Sequence, residues 1–518
     1  METFETNNGP VRGLRVSDGV VAALGIPYAA PPFGPRRFKE PQPAPAWDGV
    51  RDCTRFGAVA PQSAQLPGAP AWSPGDEDIL TVNVWTPAAA GDGLPVLVWI
   101  HGGAYTFGSS AQPDFDGTAL ARAGLVVVTL NYRIGFEGFG HVPGAAGVGY
   151  PDNRGLLDQI AALRWVRDNI AAFGGDPGNV TLAGQSSGAA SAACLMVMDG
   201  ARGLFHRAIA HSAASPCYTV EMAEATTREI AASAGCPATP EGLAGTAPEV
   251  LLRAGDAVVE AYRRDAGSGS RHYDPSLYAP VLDGDTLPVD PLTGMARGLS
   301  RDVDLLVCHT TEEYWLLDAV GSCAKVTTEE QLGTFAADFG LPDGLVDAYR
   351  AAAPEAPVLD VYLAVFGDLL FGEYSNRLAE QHAAGGGRAY LSRFDRRRTG
   401  PEGTVRAWHC ADIPFAFGNL HNSDLAFLIG GAPTAADRDL SDRMVRAWAD
   451  FSRTGEPGWA ALDHSAGPTA PVMTWRAEDG EGQDRPTSGQ NGEGPEGIES
   501  GDMRALLWAK AEFPLLRA

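Results

Sequence analysis

One five-residue stretch constrains the fold of this chain more than any other, namely Gly184-Gln185-Ser186-Ser187-Gly188. An apolar run at 179–183 precedes it, and a run of small residues at 189–193 follows it. This order is typical of a strand, a sharp turn and a helix, with Ser186 at the tip of the turn. Glycines two residues before and after the serine leave room where the strand and the helix crowd together. The pattern G-x-S-x-G therefore predicts an activated serine hydroxyl.

A second glycine motif, His101-Gly102-Gly103-Ala104, follows the apolar run at 96–100. Paired glycines let backbone N–H groups approach a negatively charged oxygen closely. In folds that carry the serine turn, the residue after the serine, here Ser187, supplies another such donor. The structural alternative for both motifs is an ordinary turn, because the chain contains 63 glycines. Their order and their spacing of about eighty residues favour an acyl-transfer site.

The apolar runs alternate with helical patterns along the chain. Strand-like runs lie at 79–86, 96–100, 125–130, 207–211, 302–308 and 388–393. Continuous aliphatic runs suit strands buried on both faces, so the chain is predicted to be α/β, with a mostly parallel central sheet flanked by helices. We expect the mostly helical regions 218–300 and 314–387 to be cap excursions of a single domain that spans 1–518.

Charge and cysteine usage limit the partners and the compartment. The net charge of -25 repels nucleic acid and anionic membrane surfaces, and no apolar run approaches the length of a membrane span. Seven cysteines without a C-x-x-C spacing indicate free thiols, and the acidic first residues lack the apolar core of a signal peptide. We expect a cytoplasmic protein without metal or cofactor, with a flexible acidic loop at 478–502.

The serine needs a histidine as base and a carboxylate that orients it. In this type of fold the chain order is serine, acid, histidine. Glu312 and Glu313 follow a strand-like run directly, where a catalytic acid belongs, although an exposed acidic loop is the alternative. Spacing alone does not choose among the histidines that follow the serine, which are His206, His211, His272, His309, His382, His409, His421 and His464.

The motifs together resemble the type-B carboxylesterase family, which includes bacterial para-nitrobenzyl esterases and animal cholinesterases. The resemblance extends over nearly the whole chain, from Gly25 to Gly455. It implies an α/β-hydrolase fold and hydrolysis of carboxylic esters of small to medium organic molecules, by a monomer or a homodimer. It rests on the stretches His101–Ala104, Asn153–Gln159, Phe173–Pro177 and Gly184–Gly188.

The resemblance also implies roles for individual residues. The nucleophile is Ser186, and an Asp-Glu-Gly motif of the family matches Glu312-Glu313-Tyr314, which makes Glu313 the acid. The base precedes a Pro-Phe-x-Phe-Gly run, which makes it His409. The oxyanion donors are the backbone N–H groups of Gly103, Ala104 and Ser187.

Structural features of the family map onto other positions. Two salt bridges of the family match Arg37 with Glu77 and Arg133 with Asp158. The positions of a family disulfide hold Ala60 and Ile79, as expected for a reducing compartment.

The chain departs from the family pattern near the nucleophile and the acid. Gln185 stands where the family has Glu, Ser187 where it has Ala, and Tyr314 where it has Gly. Glu312 therefore competes with Glu313 for the role of the acid, and Tyr314 is a candidate to narrow the loop. Trp72 falls near the choline-binding Trp of cholinesterases, and we expect it to line the pocket; cation binding is the alternative.

The sequence is compatible with two other functions. The same triad hydrolyses amides, carbamates, lactones or thioesters, because the leaving group is recognised by the pocket. A catalytically inactive binding module, as among neuroligin-like relatives, is disfavoured because both Ser186 and His409 are present.

Overall fold

A large β-sheet organises the fold, and the computed structural model describes residues 1–63, 71–88, 93–144, 149–214, 217–400, 403–462, 471–477, 486–488 and 507–511. The strands are β1 (Glu2–Thr6), β2 (Gly9–Ser17), β3 (Val20–Pro27), β4 (Arg51–Asp52), β5 (Thr81–Pro87), β6 (Leu94–Ile100), β7 (Val126–Leu130), β8 (Gly175–Gln185), β9 (Arg207–His211), β10 (Tyr218–Thr219), β11 (Val281–Leu282), β12 (Asp304–Thr310), β13 (Ala389–Phe394), β14 (Arg398–Gly400), β15 (Gly403–Val405), β16 (Pro471–Trp475) and β17 (Pro486–Ser488).

Helices cover the sheet and form the excursions between its strands. They are α1 (Thr118–Arg122), α2 (Gly135–Phe139), α3 (Arg154–Asn169), α4 (Ser187–Val197), α5 (Val220–Ala234), α6 (Pro240–Gly245), α7 (Pro248–Arg264), α8 (Ser270–Tyr273), α9 (Pro291–Ala296), α10 (Trp315–Ala319), α11 (Glu329–Asp338), α12 (Leu345–Ala352), α13 (Val358–Gly367), α14 (Glu373–Ala384), α15 (Ile413–Phe417), α16 (Ala426–Ile429) and α17 (Ala435–Thr454). A π-helical turn, Asp368–Gly372, joins α13 to α14.

The main sheet has the strand order β1-β2-β3-β5-β7-β6-β8-β9-β12-β13-β16-β17, with β4 paired to β2. Its middle section, from β7 to β16, is parallel. The other strands along this order pair antiparallel, and β4 pairs parallel to β2. The expected α/β architecture with a mostly parallel sheet is thus confirmed. Because parallel strands end at the same edge, the segments that follow β6, β8, β9 and β12 meet there.

The sheet is buried on both faces, as its continuous apolar strands predict. In β6, Val96, Val98 and Ile100 join one core cluster, and the alternate residues Leu97 and Trp99 join another. Helices α3 and α4 pack on the first face, and α17 packs on the second. The sequence periodicity locates these helices well, because a helix that covers a sheet needs one wide apolar stripe.

The segments 218–300 and 314–387 are mostly helical, and β10 and β11 add a small two-stranded sheet to the first of them. We call these segments the cap, and their role as cap excursions stays a prediction. The acidic stretch at 478–502 lies outside the described residues, except for Pro486–Ser488, which forms β17. The organisation of 1–518 as a single domain stays a prediction. Within the described ranges, no helix is both long enough and apolar enough to cross a membrane.

One of the two expected salt bridges is present as predicted, and it is fully buried. Arg133 Nη2 lies 2.7 Å from Asp158 Oδ1, and the two side chains are 1% and 0% exposed. The guanidinium also contacts Asp158 Oδ2 through Nε at 2.7 Å, so the pair is bidentate. Asp158 lies in α3 and Arg133 follows β7, so the pair fixes this helix against the sheet.

The predicted pairing of Arg37 with Glu77 is wrong. Arg37 Nη2 donates to Glu137 Oε1 at 2.6 Å, and both side chains are buried. Arg37 also donates to backbone carbonyls at Ala244 and Thr246. Glu77 lies in an exposed loop. A buried guanidinium requires a carboxylate in the same dry environment, and Glu137 in α2 provides it.

Removing one charge of the buried Arg133 pair is expected to destabilise the protein strongly. Asp158→Asn keeps the shape of the side chain but leaves the Arg133 charge without compensation, which costs about 3–5 kcal/mol. The matched control is Asp199→Asn, because Asp199 forms an ion pair with Arg202 but is 91% exposed. Urea unfolding followed by circular dichroism measures both variants. Equal midpoints for the two variants would contradict the structural role of the buried pair.

Candidate active site

Ser186 occupies a strained turn between β8 and α4. Its φ of 56° and ψ of -126° lie outside the ordinary regions for a residue with a side chain. The Ser186 backbone N–H donates to the carbonyl of His211 at 2.8 Å, which ties the turn to the end of β9. The buried residues of β8 and α4 on either side of Ser186 keep its backbone in this strained conformation, as at many functional sites.

The two glycines of the turn are required by close backbone contacts. A Cβ on Gly184 would lie 2.4 Å from the carbonyl oxygen of Gly188. A Cβ on Gly188 would lie 2.2 Å from the carbonyl oxygen of Ile100. Real Cβ atoms do not approach backbone atoms so closely, so any side chain here would push α4 away from the sheet. The expected crowding of strand and helix is therefore present.

The glycine motif after β6 reaches the serine turn. A Cβ on Gly102 would lie 3.0 Å from the Cβ of Ser186, so the two segments are in close contact. Gly103 and Ala104 have φ of 111° and 52°, and within the described residues their backbone N–H groups have no acceptor. Ser187 is the first residue of α4, where N–H groups lack intrahelical partners. Unpaired donors beside a serine are the components of an oxyanion hole.

Glu313 contacts His409, as the resemblance implies. Glu313 Oε2 lies 2.6 Å from His409 Nδ1, and Glu313 is 2% exposed. The other carboxylate oxygen accepts hydrogen bonds from the hydroxyl of Ser212 at 2.6 Å and from the backbone N–H of Thr310 at 2.7 Å. Three donors therefore fix the carboxylate, as a buried charge requires.

Glu312 has a different set of partners, although it is adjacent in sequence. Its carboxylate contacts Arg406 Nη1 at 2.5 Å and Arg397 Nε at 2.8 Å, and it accepts from the Ala407 backbone N–H. Side chains of neighbouring residues point in different directions here, so only Glu313 reaches the imidazole. The competition between the two glutamates left open by the sequence is resolved in favour of Glu313 as the partner of His409.

Tyr314 packs into the cap. It is 5% exposed and belongs to an aromatic cluster with Phe335, Tyr362 and Phe366, with its ring centroid 4.3 Å from that of Phe366. Gly367 of α13 makes room for it, because a Cβ there would lie 3.1 Å from the Tyr314 backbone nitrogen. The loop of the acid is therefore anchored in the cap core.

The imidazole of His409 is held on its edge and on its face. Glu313 binds Nδ1, and the ring of Phe371 lies 4.1 Å from the imidazole centroid at an angle of 32°. Phe371 belongs to the π-helical turn, and π-helical turns are frequent at functional sites. Neither Phe371 nor Ser212 was identified from the sequence. Only the position of Ser212 directly after a strand could have suggested it.

The other nitrogen of the imidazole contacts Gln185. Gln185 Nε2 lies 2.8 Å from His409 Nε2. Because Gln185 directly precedes Ser186, this contact brings the imidazole to the serine turn. Within the described part of the chain, no hydrogen bond joins Ser186 Oγ to His409.

Within the described residues, no other imidazole links a carboxylate on Nδ1 to the serine turn through Nε2. His211 also pairs with a carboxylate, Asp412, at 2.7 Å, but its Nε2 accepts a hydrogen bond from Trp448 Nε1 at 2.9 Å and the group is fully buried. Burial lowers the pKa of His101 and of His309 to about 4, so both are neutral at physiological pH. His464 lies outside the described residues.

Trp72 packs beside Phe33, with ring centroids 6.1 Å apart, and its Nε1 donates to the carbonyl of Asp76 at 2.9 Å. Its place as a wall of the substrate pocket stays a prediction. Ala60 and Ile79, at the positions of the family disulfide, are buried in the core. All seven cysteines are free thiols.

The fold has close counterparts among known proteins. Residues 1–469 match the carboxylesterase family. Para-nitrobenzyl esterase of Bacillus subtilis (strain 168) is 36% identical over 470 residues, which covers 89% of this chain and 91% of that protein. Phenmedipham hydrolase of Pseudarthrobacter oxydans is 35% identical over 486 residues, which covers 92% and 93%.

A solved structure agrees with the match to the carboxylesterase family. A carboxylesterase of Geobacillus stearothermophilus superimposes with a TM-score of 0.79 at 37% identity, over 92% of this chain and 96% of that one. The fold is that of an α/β-hydrolase, and the enzyme class is that of carboxylic ester hydrolases. The chain belongs to the carboxylesterase family.

The contacts of the two adjacent glutamates predict different phenotypes. Glu313→Gln removes the charged partner of His409 Nδ1 and is expected to lower kcat by about 10⁴-fold, as for the corresponding change in another serine hydrolase. Glu312→Gln serves as the matched variant and is expected to lower the melting temperature while kcat stays close to that of the wild type. Ester hydrolysis and thermal unfolding measure the two effects. A larger loss of activity in Glu312→Gln would reverse the assignment.

Proposed function

We propose that this carboxylesterase uses Ser186, His409 and Glu313 as its catalytic triad. The observation that carries the proposal is the 2.6 Å contact between Glu313 and His409 Nδ1, in an imidazole whose other nitrogen faces the serine turn. A carboxylate on Nδ1 selects the tautomer in which Nε2 is free to accept a proton.

The reaction then follows the acyl-enzyme route. His409 Nε2 takes the proton of the Ser186 hydroxyl as the oxygen attacks the ester carbonyl carbon. The backbone N–H groups of Gly103, Ala104 and Ser187 stabilise the oxyanion of the tetrahedral intermediate. The protonated imidazole, stabilised by Glu313, gives its proton to the leaving alcohol. Water attacks the acyl-enzyme with His409 again as base, which releases the acid and restores Ser186.

Substrate and setting are part of the same proposal. We propose esters of small to medium organic molecules as substrates, without nucleic acid or membrane partners, and a monomer or homodimer in the cytoplasm. The charge of -25 and the seven free cysteines support this setting. Amides, carbamates, lactones and thioesters are the alternative substrates of the same triad.

Ser186→Ala is expected to abolish turnover, with a loss in kcat of up to about 10⁶-fold as in another serine hydrolase. Hydrolysis of para-nitrophenyl esters from acetate to decanoate measures it, and the optimum chain length sizes the acyl pocket. A fluorophosphonate probe should label the wild type and leave the variant unlabelled. Wild-type protein that neither hydrolyses any ester nor reacts with the probe would refute the proposal and favour a binding module.

A further inference from the structure

The contact between Gln185 and His409 involves Nε2, the imidazole nitrogen that takes the proton of Ser186 in the proposed mechanism. Gln185 is the last residue of β8 and is 4% exposed. A neutral imidazole carries one N–H, and the carboxylate of Glu313 holds that N–H at Nδ1. His409 Nε2 therefore offers only a lone pair. The amide N–H of Gln185, 2.8 Å away, donates to that lone pair.

The same lone pair must accept the proton of Ser186. An imidazole nitrogen has one lone pair in the plane of its ring, so the amide and the hydroxyl compete for it. The described residues show the amide in place and no hydrogen bond from Ser186 Oγ to the imidazole. A carboxylate at position 185, as in the pattern of the family, has no hydrogen to donate and would not compete in this way.

We propose that Gln185 is a positioning residue that occupies His409 Nε2 in the free enzyme and yields it to Ser186 when an ester enters the site. The inference rests on the proposed roles of Ser186 and His409. Glu313 on Nδ1 and Phe371 on the ring face hold the imidazole, so the amide and the hydroxyl exchange at Nε2 without loss of the orientation of the ring.

One consequence follows for the free enzyme. The hydrogen bond from the Gln185 amide to His409 Nε2 lowers the fraction of enzyme in which Ser186 is activated, so it slows acylation.

Other titratable groups near this contact are the same in every variant. They are Glu313 after β12, His309 in β12, Cys410 on the loop of His409, Asp412 before α15, His211 at the end of β9, and Asp114 in the turn Pro113–Phe115. Burial raises the pKa of Asp114 to about 7, so its titration contributes to every profile alike. The difference between variant and wild type isolates the effect of position 185.

The test uses Gln185→Met, which keeps the length of the side chain and removes the donor. We expect kcat/KM for a para-nitrophenyl ester, measured at the pH plateau, to rise about 2- to 10-fold, the range that one net hydrogen bond supplies. The second-order rate of fluorophosphonate labelling should rise equally, and kcat should stay unchanged, because kcat/KM reports the free enzyme and kcat the complex. The matched control is Gln159→Met, another buried glutamine, whose amide contacts Ser191 instead.

The second variant is Gln185→Glu. The introduced carboxylate stabilises the imidazolium, so the acid limb of the kcat/KM profile should move to higher pH by about one unit. A kcat/KM that is unchanged or lower in Gln185→Met, with the fold intact by circular dichroism, overturns the proposal. An acid limb that does not move in Gln185→Glu overturns it equally. Either result is distinguishable from failure of the triad, because the wild type would still be active and Ser186→Ala inactive.

Discussion

The carboxylate of Glu313 is the point on which the arrangement of the site depends. It receives hydrogen bonds from the end of β9 through Ser212, from β12 through Thr310 and from the loop of His409. A buried carboxylate is costly unless its oxygens are paired, so these three segments must stay together for the charge to be tolerated. The pairing of this one buried carboxylate therefore holds the ends of β9 and β12 and the loop of His409 together.

The elements that come from backbone crowding and periodicity were predictable from the sequence. Apolar runs located the parallel strands, and the glycines of the serine turn indicated where β8, α4 and β6 approach one another. The ends of the elements are less predictable from apolar spacing: α3 ends at Asn169, although a tighter helical turn continues the chain to Phe173. Such ends depend on local hydrogen bonds that apolar spacing does not record.

Side-chain pairing was predictable only where the family pattern supplied it. Even there the pattern gave the wrong partner for Arg37. The sequence contains both Glu77 and Glu137, and nothing in their spacing states which of them is buried. The contacts of Gln185, Ser212 and Phe371 were likewise invisible. Ser212 has a positive φ of 47° and Phe371 lies in a π-helical turn, and both are features of three-dimensional packing. Glu312 and Glu313 show the same limit, since only the structure separates their directions.

The anchoring of Tyr314 in the cap has a consequence for how such enzymes diverge. The residue that follows the acid is part of the aromatic core of the cap, so the cap and the acid loop form one folded unit. A lineage that replaces the cap helices must therefore preserve a partner for this ring or change position 314 at the same time. The packing of the cap and the alignment of the acid are inherited together in this chain.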